Sequence, residues 1–189
     1  MPASDRKLTL DELERVAPGT YSQRDLRRIR LVLDDVRSRH NVGSMFRTAD
    51  AFGIEGLVLC GFTPRPPHRE IEKTALGATL SVPWTHAPDI LTAIDVLKGE
   101  GYRIIAVEQT AQAIPLGAFK PEAHGPLALV MGNELNGVNE AVVLRADACI
   151  AIPQHGSKHS LNVSVCAGVV LWHLTSAGTP LYPTGPLPR

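Results

Sequence analysis

The chain has 189 residues, of which 44% are hydrophobic and 20% are charged. These fractions are ordinary for a folded globular protein and exclude a wholly disordered chain, and the length predicts one domain with a sizeable core. The formal net charge is zero with neutral histidines, so no overall charge attracts the protein to nucleic acid or to a membrane surface. Any surface for nucleic acid must therefore be a local basic patch.

The cysteines and the start of the chain predict a cytoplasmic protein. Cys60, Cys149 and Cys166 are widely spaced in apolar sequence, which is typical of reduced core residues and not of a disulfide framework. Residues 1–15 are charged and contain no apolar segment, so we expect no secretory signal. The longest apolar runs are shorter than the roughly 18 residues that span a bilayer, so we expect no membrane span.

Short apolar strands alternate with helices along the chain. In chain order, the predicted elements are two helical pieces within 8–30, a strand at 31–36, an amphipathic helix at 43–52, a strand at 56–61, a short helix at 70–78, a helix at 89–101, strands at 102–109 and 126–134, a helix at 138–147, a strand at 148–153 and a helix at 161–176. We expect three parts: an N-terminal helical extension at 1–30, a main domain at 31–176, and a tail at 177–189 that is rich in proline and glycine.

This order of elements predicts an α/β fold, with a mainly parallel sheet that is covered by helices on both faces. Ligands of such sheets bind at the carboxyl ends of the strands, where the loops meet. Three of the predicted strands are followed by polar or glycine-bearing loops, which are RSRHNVGSMFR at 37–47, GNELNG at 132–137 and QHGSKHSLN at 154–162.

The common signatures of other enzyme classes do not occur. The sequence contains neither of the glycine-rich nucleotide-binding patterns G-x-G-x-x-G and G-x-x-x-x-G-K-[ST], nor the hydrolase elbow G-x-S-x-G. His155 and His159 are four residues apart, but they lie in a loop with glycine, so we predict no metal site.

Each of the three loops has a purely structural interpretation. Asn41 could cap a helix, Gly43 could form a turn, and Arg47 could be a solvated helix residue. GNELNG could be a glycine-rich turn with an exposed carboxylate. The stretch KHSLNVSV at 158–165 alternates polar and apolar residues like a strand, although a Ser or Asn cap before the last helix also fits. Polar groups beside so much apolar sequence need partners, from the backbone or from a ligand.

Taken together and in order, these loops resemble the three signature motifs of the SpoU (TrmH-type) RNA ribose methyltransferases, in the SPOUT superfamily. The resemblance covers roughly residues 30–175, and such a triple match is far more specific than any single motif. The matching segments are NVGSMFRTADAFG at 41–53, LALVMGNELNGV at 127–138 and IAIPQHGSKHSLNVSVCAGVVL at 150–171.

The resemblance implies a fold, a cofactor and an assembly. The C-terminal segment would thread through a loop to make a trefoil knot, and the knot region would form a homodimer interface. S-adenosylmethionine would lie in the knot, held mainly by backbone groups. The implied cofactor-binding residues are Met131, Gly132, Asn133, Ile152, Leu161 and Asn162. The family also starts the last helix near Asn162, which opposes the strand interpretation of 158–165.

The resemblance further implies transfer of a methyl group to a ribose 2′-hydroxyl of structured RNA. Arg47 would act as an electrostatic clamp on the hydroxyl and a phosphate, because a guanidinium essentially never loses its proton. Asn41 would orient Arg47 or the ribose, Glu134 would support that network or the cofactor loop, and Ser160 with Asn162 would position the substrate. The implied catalytic residues are Asn41, Arg47, Glu134, Ser160 and Asn162.

RNA binding would depend on clustered arginines, because the total charge is zero. For residues 24–30 alone, an exposed helix whose arginines pair with Asp25 and other acidic residues fits at least as well. Transfer RNA is the first expected substrate and ribosomal RNA the second. Aromatic residues are scarce, so base stacking is not evident. Two other hypotheses are a non-catalytic RNA-binding dimer on the same scaffold and a base methyltransferase. The candidate RNA-binding residues are Arg24, Arg27, Arg28, Arg30, Arg37 and Arg39, with Arg65 and Arg69 in a proline-rich loop.

Overall fold

Among the residues that the structure describes, a sheet of seven strands, all paired in parallel, forms the core of the fold. The computed structural model describes residues 25–120 and 125–176, the segment 18–23, and residues 6, 7 and 9. The strands are β1 (Arg27–Asp34), β2 (Ile54–Cys60), β3 (Trp84–Ala87), β4 (Arg103–Val107), β5 (Ile114–Pro115), β6 (Leu127–Met131) and β7 (Ala148–Ala151), in the spatial order β3-β2-β1-β6-β4-β7-β5.

In the part of the chain that the structure describes, five α-helices cover both faces of this sheet, as the sequence predicts. They are α1 (Arg39–Phe52), α2 (Arg69–Ala75), α3 (Ile90–Gly99), α4 (Glu140–Arg145) and α5 (Val163–Ser176). Alternate residues of β1 point to opposite faces, so Leu31 and Leu33 pack with α1, α2 and α5, whereas Val32 packs with α3 and α4. The predicted fold class is confirmed, while the trefoil knot stays a prediction.

The helix predicted in the arginine-rich stretch before residue 31 is wrong. Pro18–Gln23 form a 3₁₀-helix, and β1 already begins at Arg27. Main-chain pairing with both β2 and β6 fixes these residues as a strand, although charged residues at this spacing favour a helix. The predicted boundary between residues 30 and 31 falls inside β1. The first predicted helical piece (mostly outside the described residues) and the tail at 177–189 are not described.

Two further strands have no clear signal in the sequence. β3 lies at one edge of the sheet and its residues are partly or fully exposed, whereas β5 has only two residues at the other edge. Partial exposure and short length remove the apolar run by which a buried strand is predicted. In the part of the chain that the structure describes, no helix is long and apolar enough to cross a membrane.

The stretch KHSLNVSV at 158–165, in which polar and apolar residues alternate, is not a strand. Residues 153–162 form an irregular loop, and α5 begins at Val163. The carbonyl of Asn162 accepts the first hydrogen bond of α5 from the Cys166 N–H at 2.8 Å, and its side chain caps the same helix. The alternation of polar and apolar residues is therefore produced by a loop and a helix start.

Gly43 is a helix-packing residue and not a turn residue. It lies within α1, where a Cβ atom would be 2.1 Å from Thr74 Oγ1 and 2.2 Å from the Ile71 carbonyl oxygen on α2. The Thr74 hydroxyl also donates to the carbonyl of His40 at 3.0 Å, which fixes the start of α1 against α2. The close approach of the two helices therefore requires glycine at this position.

We expect Gly43→Ala to lower the free energy of unfolding by about 1–3 kcal/mol, since overpacking outweighs the better helix propensity of alanine. Gly99→Ala, at the end of α3 with nothing within 4 Å of its added Cβ, is the matched control. Urea unfolding of both variants measures the difference. Equal stability of the two variants would show that α1 and α2 do not pack as described.

Candidate functional site

The loops that follow β1, β6 and β7 meet at one edge of the sheet and are joined by hydrogen bonds. Glu134, in the loop after β6, accepts a bond from the Asn41 side-chain amide at 2.9 Å. Asn162, just before α5, donates from its side-chain amide to the Asn41 side-chain oxygen at 3.1 Å. Three side chains that the sequence motifs place far apart in the chain thus form one network.

Glu134 also fixes the backbone at the start of α1. Its carboxylate accepts hydrogen bonds from the Arg37 N–H at 3.0 Å and from the Ser38 N–H at 3.2 Å. Ser38, and not Asn41, caps α1, because the Ser38 hydroxyl oxygen accepts from the Asn41 N–H at 3.3 Å. Asn41 is therefore free of the capping role and directs its side chain to the network.

The pKa of Glu134 follows from these contacts. Burial alone raises the pKa of this carboxyl, but hydrogen bonds from the Arg37 and Ser38 N–H groups and the Asn41 amide outweigh burial, so the pKa lies below its ordinary value. Glu134 is consequently ionised at neutral pH and is a weak proton acceptor. Its contacts are those of a residue that positions others.

Asn162 has both a structural and a site role. Its side-chain oxygen accepts from the Ser164 N–H at 2.9 Å and from the Ser164 hydroxyl at 2.7 Å, so it caps α5. Its side-chain amide meanwhile donates to Asn41. The position and orientation of α5 are thereby coupled to the network.

The loop GNELNG forms a tight turn that cannot accept larger residues. A Cβ atom on Gly132 would lie 2.0 Å from the carbonyl carbon of Gly137, and Gly137 has a φ of 68°. Asn133 bonds Gly137 through both backbone groups, at 3.1 and 3.0 Å, and its side-chain oxygen accepts from the Leu135 and Asn136 N–H groups. The shape of this loop therefore requires glycine at both of its ends.

A cleft of about 690 Å³ adjoins the network, over the carboxyl ends of β4, β6 and β7. All six residues predicted to bind a cofactor line it, and so do Glu134 and Ser160. Their role as cofactor ligands stays a prediction. The predicted residues at the cleft are Met131, Gly132, Asn133, Glu134, Ile152, Ser160, Leu161 and Asn162.

Glu108 and Gln109 belong to this cleft but do not occur among the predicted site residues. The Glu108 carboxylate accepts from the Val138 N–H at 2.9 Å, and the Gln109 amide donates to the His159 carbonyl at 2.6 Å. Burial first, and then the charge of Glu108, raise the pKa of Cys166 on α5 to about 11. Glu108 thus lies between the GNELNG loop and α5. Its place directly after β4, at the carboxyl edge, is the signal that could have found it.

Arg47 lies outside the cleft lining and is exposed. It follows Asn41 by six residues, which is about 240° of rotation and about 9 Å of rise on an α-helix. Within the described part of the chain, no hydrogen bond or ion pair joins Arg47 to the network. The role predicted for Arg47 stays a prediction.

The candidate RNA-binding arginines divide between the two ends of β1. Arg37 and Arg39 follow β1 and adjoin the network, and Arg39 pairs with Glu70 at 3.4 Å. Arg28 and Arg30 lie near the amino end, where Arg30 pairs with Glu100 at 2.8 Å. The structure thus brings Arg37 and Arg39 to the site but leaves Arg27, Arg28 and Arg30 at the opposite edge; Arg24 lies outside the described residues.

Among the residues that the structure describes, no group of three or more His, Cys, Asp or Glu side chains could hold a metal ion. The acidic residues at the end of β1 have structural partners. Asp34 accepts from the Asn139 N–H at 3.1 Å, and Asp35 accepts from the Phe62 N–H at 2.8 Å. These carboxylates hold neighbouring loops and do not face the cleft.

The fold and site define an α/β protein with a ligand cleft at the carboxyl edge of a parallel sheet. The family model described as the SpoU rRNA Methylase family matches residues 28–172, so the chain belongs to this family. The resemblance that the three motifs indicate is thereby confirmed.

Relatives of known name and structure agree with this membership. The 23S rRNA (guanosine-2′-O-)-methyltransferase RlmB of Vibrio parahaemolyticus is 33% identical over 142 residues, or 75% of this chain and 56% of that protein. An AdoMet-bound rRNA methyltransferase from Sinorhizobium meliloti superposes with a TM-score of 0.75 at 28% identity, over 80% of this chain and 57% of that one. A TrmH/SpoU tRNA modifying enzyme from A. aeolicus has a TM-score of 0.73 at 26% identity, over 82% and 78%. The chain thus spans little more than half the length of the first two relatives.

We expect Glu134→Gln to lower Tm at pH 7, because a neutral amide accepts the three N–H bonds less well than a carboxylate. Because solvent screens this partly exposed site, we expect a loss of about 1 kcal/mol in the free energy of unfolding, which lowers Tm by about 3 °C. The pKa of Glu134 is lowered in the folded state, so its contribution is complete above the ordinary value of 4.5 and is lost as the pH falls through the lowered pKa.

Thermal unfolding of both proteins between pH 3 and pH 7 tests this dependence. The difference in Tm between the two proteins should decrease as the pH falls. It should also be smaller when both proteins carry Asn41→Ala, since that substitution removes one hydrogen-bond partner of Glu134. A difference that persists unchanged at low pH would contradict the assignment of an ionised, positioning Glu134.

Proposed function

We propose that the protein transfers a methyl group from S-adenosylmethionine to a ribose 2′-hydroxyl of structured RNA. The observation that carries the proposal is the Asn41–Glu134–Asn162 network, because it brings the three motifs of the family together at the mouth of the cleft. The cofactor would occupy the cleft, and the target ribose would lie against the network.

The cleft suits S-adenosylmethionine in size and in charge. Its volume of about 690 Å³ is within the usual range for small-molecule sites. The charged residues among its described lining are Glu108, Glu134 and Glu140, without lysine or arginine. Such a lining favours a cofactor that carries a sulfonium and an ammonium group. The narrow turn at Gly132 would offer backbone groups to the cofactor.

The bound cofactor supplies a methyl group on a positively charged sulfur, which is already electrophilic. The protein must therefore orient the ribose and favour the hydroxyl as it loses its proton. Glu134 would be a positioning residue, because its carboxylate is occupied by three donors and its pKa is lowered. Asn41 and Asn162 would each offer the second hydrogen of their amide to the substrate.

Ser160 and Arg47 would complete the site. Ser160 lines the cleft next to Asn162, and no hydrogen bond within the described residues occupies its hydroxyl, so it would contact the ribose directly. Arg47 would clamp a phosphate or the developing oxyanion when RNA binds, with its charge and not as a base. A phosphate oxygen of the RNA or a water would then take the proton.

Transfer RNA and ribosomal RNA remain the two candidate substrates. The A. aeolicus relative is a tRNA modifying enzyme, and the Vibrio relative acts on 23S rRNA. We keep transfer RNA as the first candidate and ribosomal RNA as the second. Arg37 and Arg39 are the candidate phosphate contacts that adjoin the site.

We further propose a homodimer through α5, in the region where the family resemblance implies a knot. Val165, Val169 and Trp172 repeat at helical spacing and are 52%, 37% and 56% exposed. An apolar stripe of this kind is typical of a protein interface. A second copy of the chain is the expected partner, because an isologous contact would bury the stripe of both copies.

Transfer from S-adenosylmethionine with a labelled methyl group, to separate pools of tRNA and rRNA, tests the reaction. Digestion to nucleosides and mass spectrometry then identify the product. We expect a 2′-O-methylnucleoside from one pool and at least a hundredfold slower transfer by Arg47→Ala, consistent with loss of an oxyanion contact. Because Arg47 lies outside the cleft, the affinity for S-adenosylmethionine measured by calorimetry should not change.

Other products would favour the competing hypotheses. A methyl label on a base would overturn ribose methylation while preserving the family fold. RNA binding without cofactor binding would favour a non-catalytic RNA-binding dimer. Loss of cofactor affinity in Arg47→Ala would contradict the location proposed for Arg47.

For the dimer, we expect Val165→Glu to shift the protein towards monomer, since it buries a charge in the interface. Val96→Glu is the matched control, because Val96 on α3 is 55% exposed but lies on the other face of the sheet. Analytical ultracentrifugation at several concentrations measures the shift. A monomeric wild-type protein, or equal behaviour of the two variants, would exclude this interface.

A further inference from the structure

Phe62 has the most exposed large hydrophobic side chain among the described residues, with 89% of its surface accessible. It lies two residues after the end of β2, at the same edge of the sheet as the candidate site. Single exposed apolar residues are normal on protein surfaces, so exposure alone indicates nothing. The way in which this turn is held is more informative.

The backbone at Phe62 is fixed on both sides. Its N–H donates to Asp35 Oδ1 at 2.8 Å, and the preceding Gly61 has a φ of 57°. A Cβ atom on Gly61 would lie 2.2 Å from Asp35 Oδ1, so only glycine allows this approach. On the other side, the Thr63 N–H donates to the Cys60 carbonyl at 3.1 Å, and the buried Thr63 hydroxyl donates to the Leu33 carbonyl at 3.0 Å. The ring is therefore presented to solvent from a rigid turn.

The turn adjoins the candidate site through β1. Asp35, which holds Phe62, is two residues before Arg37, whose N–H donates to Glu134. β1 lies between β2 and β6 in the sheet. Neighbouring strands are about 4.8 Å apart, so the ends of β2 and β6 are about 10 Å apart. Phe62 is thus close to the network but outside the cleft.

Three exposed arginines lie on the segments next to this turn, which also contains the carboxylate of Asp35. Arg37, Arg65 and Arg69 are exposed, and no ion pair engages their guanidinium groups within the described residues. The ion pair of Arg39 with Glu70 joins the starts of α1 and α2, so the loop that bears Arg65 runs along the same edge. A protein interface is depleted of charge at its core, whereas exposed arginines on segments that adjoin an exposed aromatic residue suit the phosphates and bases of a nucleic acid.

We propose that Phe62 is a stacking platform for an unpaired base of the RNA, next to the nucleotide that is methylated. Arg37, Arg65 and Arg69 bind the adjoining phosphates. The platform requires an unpaired nucleotide beside the target, so it selects loops over continuous duplex. This inference rests on the proposed function, and it adds the base stacking for which the scarcity of aromatic residues gave no indication.

The test compares Phe62→Leu, which removes the ring, with Phe62→Trp, which keeps one. The control is Leu144→Ala on α4, because Leu144 is 79% exposed. Binding is measured with end-labelled unfractionated tRNA and with fragmented rRNA, at one salt concentration and without cofactor. Transfer kinetics give separate KM values for RNA and for S-adenosylmethionine.

We expect Phe62→Leu to bind RNA about five- to 150-fold more weakly, the range for loss of one stacked base. Its KM for RNA should rise, while Tm, the oligomeric state and the KM for S-adenosylmethionine stay at wild-type values. Phe62→Trp should restore binding, and Leu144→Ala should bind like the wild type.

Several outcomes would exclude the proposed stacking of Phe62 on an RNA base. These are wild-type RNA affinity in Phe62→Leu, failure of Phe62→Trp to restore binding, and dissociation of a dimer by Phe62→Leu, which would make the ring a protein contact. Failure of the wild-type protein to bind either RNA pool would also exclude a base-stacking role for Phe62. RNA binding that depends on the ring, in a protein that transfers no methyl group, would support the platform and refute the proposed enzyme.

Discussion

The carboxylate of Glu134 is the group on which the arrangement of the candidate site depends. It accepts hydrogen bonds from the backbone of Arg37 and Ser38, which are 97 and 96 residues away in the chain, and from the side chain of Asn41. The parallel sheet makes these contacts possible, because β1 and β6 are neighbours and end at the same edge. Without the carboxylate, several N–H groups at the start of α1 would lose their partners.

Close backbone approaches impose a second constraint on the same region. Gly43 allows α1 to lie against α2, and Gly132 allows the loop after β6 to fold onto itself. Asn162 then sets the start of α5 while bonding Asn41. Helix packing, loop shape and the orientation of the amide groups are therefore parts of one structure, which contacts within the chain hold together. Pre-organised donors are effective in catalysis, since they need not reorient during the reaction.

The sequence predicts the fold class and the three loops well, because alternating strands and helices and polar strand ends are local patterns. It fails where long-range pairing decides the structure. Residues 27–30 have a charged pattern that favours a helix, yet two neighbouring strands hold them as part of β1. For the same reason, the sequence places Arg30 and Arg37 in one RNA-binding surface. In the structure, Arg30 pairs with Glu100 at the opposite edge of the sheet. The sequence does not identify Glu108 as a site residue, because no motif surrounds it. Its place at the cleft depends on a hydrogen bond from the Val138 N–H, 30 residues away.

The central claim is that the cleft and the network form one active site for methyl transfer to a ribose. The most direct measurement is a crystal structure of the protein with S-adenosylmethionine bound. We expect cofactor density in the cleft over β4, β6 and β7, with the methyl group directed at Asn41, Ser160 and Asn162. Density at another surface, or a cofactor in the cleft whose methyl group points away from these side chains, would show that the cleft and the network are not one active site.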